Sequence, residues 1–231
     1  NQSKGQAGVA SEDDFLNTLL PYWIENYFKN PSYLKIDNKP LLFIYRPEFL
    51  INDLGSVEAV KQALNKAREI CKREGFAGLT ILGEYRGTQP APLELMAAEG
   101  LDYSFAYCWP VGGEPSQQEA IDAQERYWKD RQKMGILPDL VTVSMGWDSR
   151  PWHPSSSIWR LTPDNFQVAC ERAKAFMATV PPDQLGHRLV LLDNWNEFGE
   201  GHYIAPHRQY GFGYLDATRN AFCTSPRTHL D

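Results

Sequence analysis

The 231 residues, 42% hydrophobic and 23% charged, exclude a disordered or collagen-like chain and are enough to bury one sizeable core. A net charge of −6, with an isoelectric point near 5.4, leaves no cluster of Lys and Arg for phosphate binding, and no apolar run approaches the roughly 20 residues that span a bilayer, so neither a nucleic-acid nor a membrane partner is expected. The start Asn1-Gln2-Ser3-Lys4-Gly5 lacks Met and resembles no signal peptide; the expectation is that an upstream part has been removed, with any export signal, consistent with a secreted or periplasmic setting.

Ser11 opens a Ser-Glu-Asp-Asp start signal. Phe15, Leu16, Leu19, Leu20 and Trp23 then recur at helical spacing toward Phe28, predicting a first helix. The apolar run Leu41-Leu42-Phe43-Ile44-Tyr45 before Arg46-Pro47 predicts a strand buried on both faces. Ser56 caps a predicted helix carrying Val57, Val60, Ala63, Leu64, Ala67 and Ile70 that stops near Gly75. A second strand is expected from Leu79 to Tyr85, a short helix from Pro90 to Ala98, a third strand from Tyr103 to Tyr107 and a long helix from Gln117 to Met134. Leu140 to Met145 reads as a fourth strand and Gly146 to Trp159 as an aromatic, Pro-rich loop. Thr162-Pro163-Asp164 is a helix start, with Phe166, Ala169, Cys170, Ala173, Phe176 and Met177 on the buried face. Leu189 to Trp195 is the fifth strand, and a closing helix runs from about Tyr214 to Phe222. Apolar strands alternating with helices predict a parallel sheet covered by helices in one domain. Cys71, Cys108, Cys170 and Cys223 lie far apart with no C-x-x-C spacing and are expected to be free and buried.

Polar groups follow nearly every predicted strand: Tyr45-Arg46, Glu84-Tyr85-Arg86, Tyr107 with Trp109, Trp147-Asp148-Arg150, and Asn196-Glu197 with Glu200. The C-terminal ends of parallel strands converge on one face of a barrel and border the crevice of an open sheet, so this edge is the expected ligand side in either topology. Seven Trp and eleven Tyr, many near strand ends, suit platforms for sugar rings, with ordinary packing as the alternative for each.

Cleaving a glycosidic bond needs a proton donor for the leaving oxygen and a second carboxylate acting as base or nucleophile. Glu197 and Glu200 qualify: they are three apart, just past a buried strand, in a segment too apolar to be a solvent face. A loop salt bridge is the competing reading. Gly199 and Gly201 would let the backbone turn so that both carboxylates point into one cleft. Asn194, Asn196, His202 and Tyr203 are candidate substrate-binding residues, while Trp195 either packs in the core or stacks on a ring. Glu84 either contacts substrate or pairs with Arg46 or Arg86; Trp147, Asp148 and Trp152 are expected to form substrate walls, and Tyr45, Arg46, Tyr107 and Trp109 complete the set. His202, His207 and the two Glu could be read as metal ligands, but no H-E-x-x-H is present and the His spacing of five fits no zinc signature. No G-x-S-x-G elbow or phosphate loop occurs, and neither metal nor cofactor is expected.

The segment Asn196-Glu197-Phe198-Gly199-Glu200-Gly201 resembles the N-E-W-x-E-G phrase of the glycoside hydrolase family 99-like proteins, which include endo-α-mannosidases and WbsX-type proteins of polysaccharide clusters. Tyr33-Leu34-Lys35-Ile36-Asp37-Asn38-Lys39-Pro40, leading to Phe43-Ile44-Tyr45-Arg46-Pro47, resembles the phrase before the fourth barrel strand of that group. The resemblance implies a TIM-type (β/α)8 barrel, no metal and paired acids. It aligns Glu197 with a base that deprotonates the sugar 2-hydroxyl, giving a 1,2-anhydro-sugar with retention, and Glu200 with the acid that protonates the leaving group. Phe198 replaces the usual Trp, and Ala205 stands where Glu is frequent, which puts sugar specificity in doubt. With five predicted strands against eight, residues 1–231 are expected to be the C-terminal portion of a single catalytic barrel domain, about the fourth to eighth βα units. The missing strands would come from an N-terminal segment, a partner chain or a rearranged sheet. The expected activity is a glycoside hydrolase acting on an oligo- or polysaccharide; a glycosyltransferase or glycan-assembly protein and a non-catalytic carbohydrate-binding protein are the alternatives.

Overall fold

The computed structural model describes residues 8–150, 152–154 and 157–224. These fall into two compact units. The first runs to Tyr85 and takes in Gln89–Ser104 and Ile136–Pro138; the second comprises Arg86–Thr88, Phe105–Gly135 and the chain from Asp139 onward.

The first unit opens with a helix that alternates α turns (Glu12–Asp14, Leu20–Trp23) with π turns (Phe15–Leu19, Ile24–Phe28). Ser11 Oγ accepts the Asp14 N–H at 3.0 Å, the N-cap expected from the sequence. Besides Phe15, its buried residues Leu16, Leu20, Ile24 and Phe28 recur every four positions, wider than the α-helical 3.6, and the π turns keep them on one face. Asp37 and Asn38, both at positive φ, form the two-residue turn between β1 (Lys35–Ile36) and β2 (Lys39–Ile44). β2 pairs in parallel with β3 (Thr80–Glu84), Leu41 opposite Thr80 and Ile44 opposite Gly83, in a sheet of order β1-β2-β3-β4, β4 being Tyr103–Phe105. Burial of β2 on both faces is corrected: Leu41 is buried, whereas Phe43 and, beyond the strand, Tyr45 are exposed.

Helix α1 (Val57–Arg73) starts where Ser56 Oγ accepts the Ala59 N–H at 3.1 Å and buries Val60, Ala63, Leu64, Ala67 and Cys71. Lys72 and Arg73 in its last turn complement the helix dipole. Helix α2 (Pro90–Glu99) and Leu101 just beyond it pack closely on β3, so that a Cβ at Gly83 would lie 2.4 Å from Leu101 Cδ2 and 2.5 Å from Met96 Sδ and those side-chain ends would have to move.

In the second unit β5 (Val141–Ser144) pairs in parallel with β8 (Val190–Asp193), in the register that sets Ser144 beside Asp193. The stretch read as a loop from Gly146 to Trp159 instead has strands at its ends: β6 (Gly146–Asp148) and β7 (Ile158–Arg160) form an antiparallel ribbon. Helix α3 (Gln117–Met134) carries a full capping box between Ser116 and Glu119 and ends on Gly135 at φ 62°. Its Gln124 clamps the end of β5 from both sides, donating to Ser144 O at 3.1 Å and accepting the Ser144 N–H at 2.8 Å. Helices α4 (Pro163–Met177) and α5 (Gly213–Phe222) close a core that includes Trp109, Trp128, Val143, Trp159, Phe166, Cys170 and Tyr214. Cys71, Cys108 and Cys170 are buried thiols, but Cys223 is exposed, against expectation. Among the described residues no helix is long and apolar enough to cross a membrane.

Candidate active site

β8 ends at Asp193, and the chain beyond it folds back on itself. Asn194 O accepts the Ile204 N–H at 2.8 Å and Trp195 O the Ala205 N–H at 2.9 Å, while Glu197 and His202 form an antiparallel bridge. The short 3-10 turn Phe198–Glu200 and Gly201, at φ 66°, reverse the chain between them. Gly201 is required twice over: its φ disfavours a side chain, and a Cβ there would lie 2.5 Å from Asp148 Cβ. Arg160 on β7 fastens the turn, donating to Gly201 O at 2.6 Å and lying 4.7 Å over the Tyr203 ring.

This turn delivers Glu200 into a hydrogen-bonded line. Tyr107 OH donates to Glu200 Oε2 at 2.9 Å; His202 Nε2 lies 3.1 Å from the same oxygen; and His202 Nδ1 lies 2.6 Å from Asp193 Oδ1. Glu200 Oε1 and both oxygens of Glu197 take no hydrogen bond from the described residues, so they are available to a ligand. His202 is fully buried, its ring 5.1 Å from those of Tyr107 and Trp147. Burial alone would lower the pKa of His202, but hydrogen bonding and the charge of Asp193, then of Glu200, carry it above its ordinary value. Burial raises the Asp193 carboxyl, with the His202 contact opposing. Burial, and then the bond to Glu200, raises the Tyr107 phenol, which therefore stays a donor.

The second unit gathers most of the residues picked out from the sequence. Trp147 donates to Ser149 Oγ at 3.1 Å. Asp148 is held by Arg150 at 2.5 Å, which depresses its carboxyl. Trp152 is 65% exposed, and a Cβ at Gly199 would meet its ring at 3.5 Å. Asn194 is half-buried, Asn196 exposed, and Tyr203 packs 4.7 Å from Phe198. Trp109 lies in the core, stacked on Tyr127 at 4.7 Å with its Nε1 bonded to Thr142 O at 2.8 Å, so it presents no surface to a ligand. Trp195 is exposed rather than packed. Tyr45, Arg46 and Glu84 belong to the first unit. There Tyr45 is exposed, Arg46 is ion-paired to Glu48 with its guanidinium 4.8 Å over Phe49, and Glu84 is buried at the end of β3. Asp193 and Arg160 are absent from the sequence-derived set; an acid ending an apolar strand nine residues before a His is a faint signal that could have drawn notice to the first. Among the described residues no group of three His, Cys, Asp or Glu side chains could hold a metal ion.

The family described as Glycosyltransferase WbsX matches residues 10–218. The chain belongs to this WbsX family. The fold of this WbsX chain is that of a glycoside hydrolase-like protein of known structure, with a TM-score of 0.68 at 20% identity over 93% of this chain and 61% of that one. It is shared with the GH99 endo-alpha-mannosidase from Bacteroides thetaiotaomicron solved with BIS-TRIS-propane, with a TM-score of 0.62 at 15% identity over 95% and 65% of the two chains. The uncharacterized protein WxcX of Xanthomonas campestris pv. campestris, strain B100, is 24% identical over 224 residues, and the match spans 88% of this chain but 30% of that relative's length.

Proposed function

We propose that this chain carries the acid/base site of a glycoside hydrolase acting on a polysaccharide or glycan. Glu200 protonates the leaving oxygen, and Glu197 acts as base on the sugar 2-hydroxyl, giving a 1,2-anhydro-sugar intermediate. The observation that carries this reading is Glu200 itself: one carboxylate oxygen is anchored by Tyr107 and His202 and the other is left for a ligand, three residues from a second carboxylate with no protein partner among the described residues. The GH99-like fold supports it. Trp147, Trp152, Asn194, Asn196 and Tyr203 supply walls and hydroxyl contacts around the pair. On this reading the remaining barrel strands come from an N-terminal segment of a longer polypeptide, from a partner chain, or are replaced by a rearranged sheet; this chain covers 61% and 65% of the two solved structures.

Incubation with polysaccharide libraries tests the reading. Glu200→Gln and Glu197→Gln should each lower reducing-sugar release at least about a hundredfold; an unchanged rate in either would remove that residue from the chemistry. The family's own description favours a second reading, transfer to a growing glycan, which predicts turnover only when a nucleotide-sugar donor is supplied.

A further inference from the structure

We infer that His202, backed by Asp193, is the positioning residue that stores the proton Glu200 delivers. This rests on the reading of Glu200 as the acid and adds where its proton waits. The line Asp193 Oδ1, His202 Nδ1, His202 Nε2, Glu200 Oε2 has bonds of 2.6 and 3.1 Å and no exposure at the imidazole. Two acids flank one ring, so both nitrogens face acceptors. A neutral imidazole can donate to only one of them. The second proton then rests on the ring, shared across the 2.6 Å contact with Asp193 Oδ1, or on Glu200 Oε2. Tyr107 OH already donates to that same oxygen, which favours its carboxylate form and leaves the proton on the ring.

The surroundings agree. The titratable and charged groups facing the line are Asp193 from β8, Glu200 from the turn, and Tyr107, with Arg86 4.9 Å over the Tyr107 ring and felt at Asp193, and Glu197 felt at Tyr107. The rings of Trp147 and Tyr107 lie 5.1 Å from the imidazole, which has no exposed surface, so bulk water does not compete for the stored proton. The step balances. The Nε2–H proton passes to the Glu200 carboxylate, leaving neutral imidazole, and rotation about the Cγ–Cδ bond presents the new hydroxyl to the substrate. The glycosidic C–O bond then breaks with its electron pair on the departing oxygen, which takes that proton, while the 2-oxygen, deprotonated by Glu197, forms the new bond to the anomeric carbon. The water that later opens the anhydro-sugar gives its proton to the Glu200 carboxylate, which returns it to His202 Nε2, while Glu197 gives its proton back to the sugar 2-oxygen.

The decisive measurement needs no substrate. In the full chain carrying 15N-labelled histidine, NMR should show His202 protonated at both nitrogens at pH 7. In Glu200→Gln its titration midpoint should fall by about one pH unit or more, because a negative neighbour is lost. An unprotonated Nε2 at pH 7 in the wild type, or a midpoint unmoved in Glu200→Gln, overturns the inference. Where turnover is detected, the alkaline limb of its pH profile belongs to the His202–Glu200 pair. His202→Gln should move that limb down by more than about one pH unit and cut kcat roughly tenfold or more with KM little changed. Asp193→Asn should move it the same way by less, and a limb that stays put in both variants also overturns the inference. If no sugar is ever cleaved, the hydrolase reading falls while the NMR result still decides whether His202 holds the proton.

Discussion

Glu99 ends helix α2 with no exposed surface, and both of its carboxylate oxygens lack a hydrogen-bond partner among the described residues. Burial, and then the charge of Glu48, raises its pKa to about 7 from 4.5. The folded chain therefore keeps the proton up to about pH 7, whereas the unfolded chain releases it near 4.5. Stability is whole below the lower value and is lost as pH rises to the upper one. Urea unfolding across that window should show a wild-type decline on the order of 2 kcal/mol that is missing in Glu99→Gln; parallel pH curves would exclude the assignment. At Gly201, substitution by Ala meets both a positive φ and the Asp148 backbone, so a loss of roughly 2–3 kcal/mol is expected in the same assay. A Gly201→Ala protein as stable as wild type would mean that the turn relaxes freely. At this scale the sequence exposes glycine and acid identities but not their surroundings. Trp109 and Trp152 both lie in aromatic segments near strand ends, yet one is buried and the other 65% exposed, because burial is settled by the residues that arrive from elsewhere in the chain.

The elements follow their end signals closely. Ser56, Ser116 and Thr162 each accept the backbone N–H three residues on, and the helices start where those residues direct. Ser116→Ala removes the acceptor for the Glu119 N–H and half of the reciprocal box. It should cost about 1 kcal/mol, or roughly 2–4 °C in Tm, while the neighbouring Gln118→Ala, which loses only a surface bond to Asp122, should cost far less. Equal effects from the two would show that the cap contributes nothing special. The stretches at residues 41–44, 80–84, 141–144 and 190–193 announce themselves as strands through their aliphatic and β-branched residues, and Tyr103–Phe105 through two aromatics. The β6–β7 ribbon does not. Its strands are three residues each and flank a stretch rich in Pro and Ser, so the whole segment reads as loop.

Across the whole molecule, composition and charge carry the expectation furthest. With a net charge of −6, the chain should pass unretained through heparin at about 0.1 M salt, and retention would point to a basic face that the composition does not predict. Each of the two compact units has helices starting at N-cap residues and strands ending near polar groups, a pattern a single sequence displays by alternation alone. The pairing of those strands is less accessible. Nothing in Val141–Ser144 states that it aligns with Val190–Asp193 rather than one residue away: all four residues of the first are buried, and Val190-Leu191-Leu192 is apolar without alternation.

That alignment is where backbone and chemistry meet. Parallel strands present alternate residues to opposite faces, so sliding β8 by one position would turn Asp193 away from His202 and put Leu192 in its place. The β5–β8 ladder thus acts as a ruler for proton transfer, and deleting one residue from Val190–Leu192 should unseat Asp193 from His202 while leaving every side chain of the Glu197–Glu200 turn in the sequence.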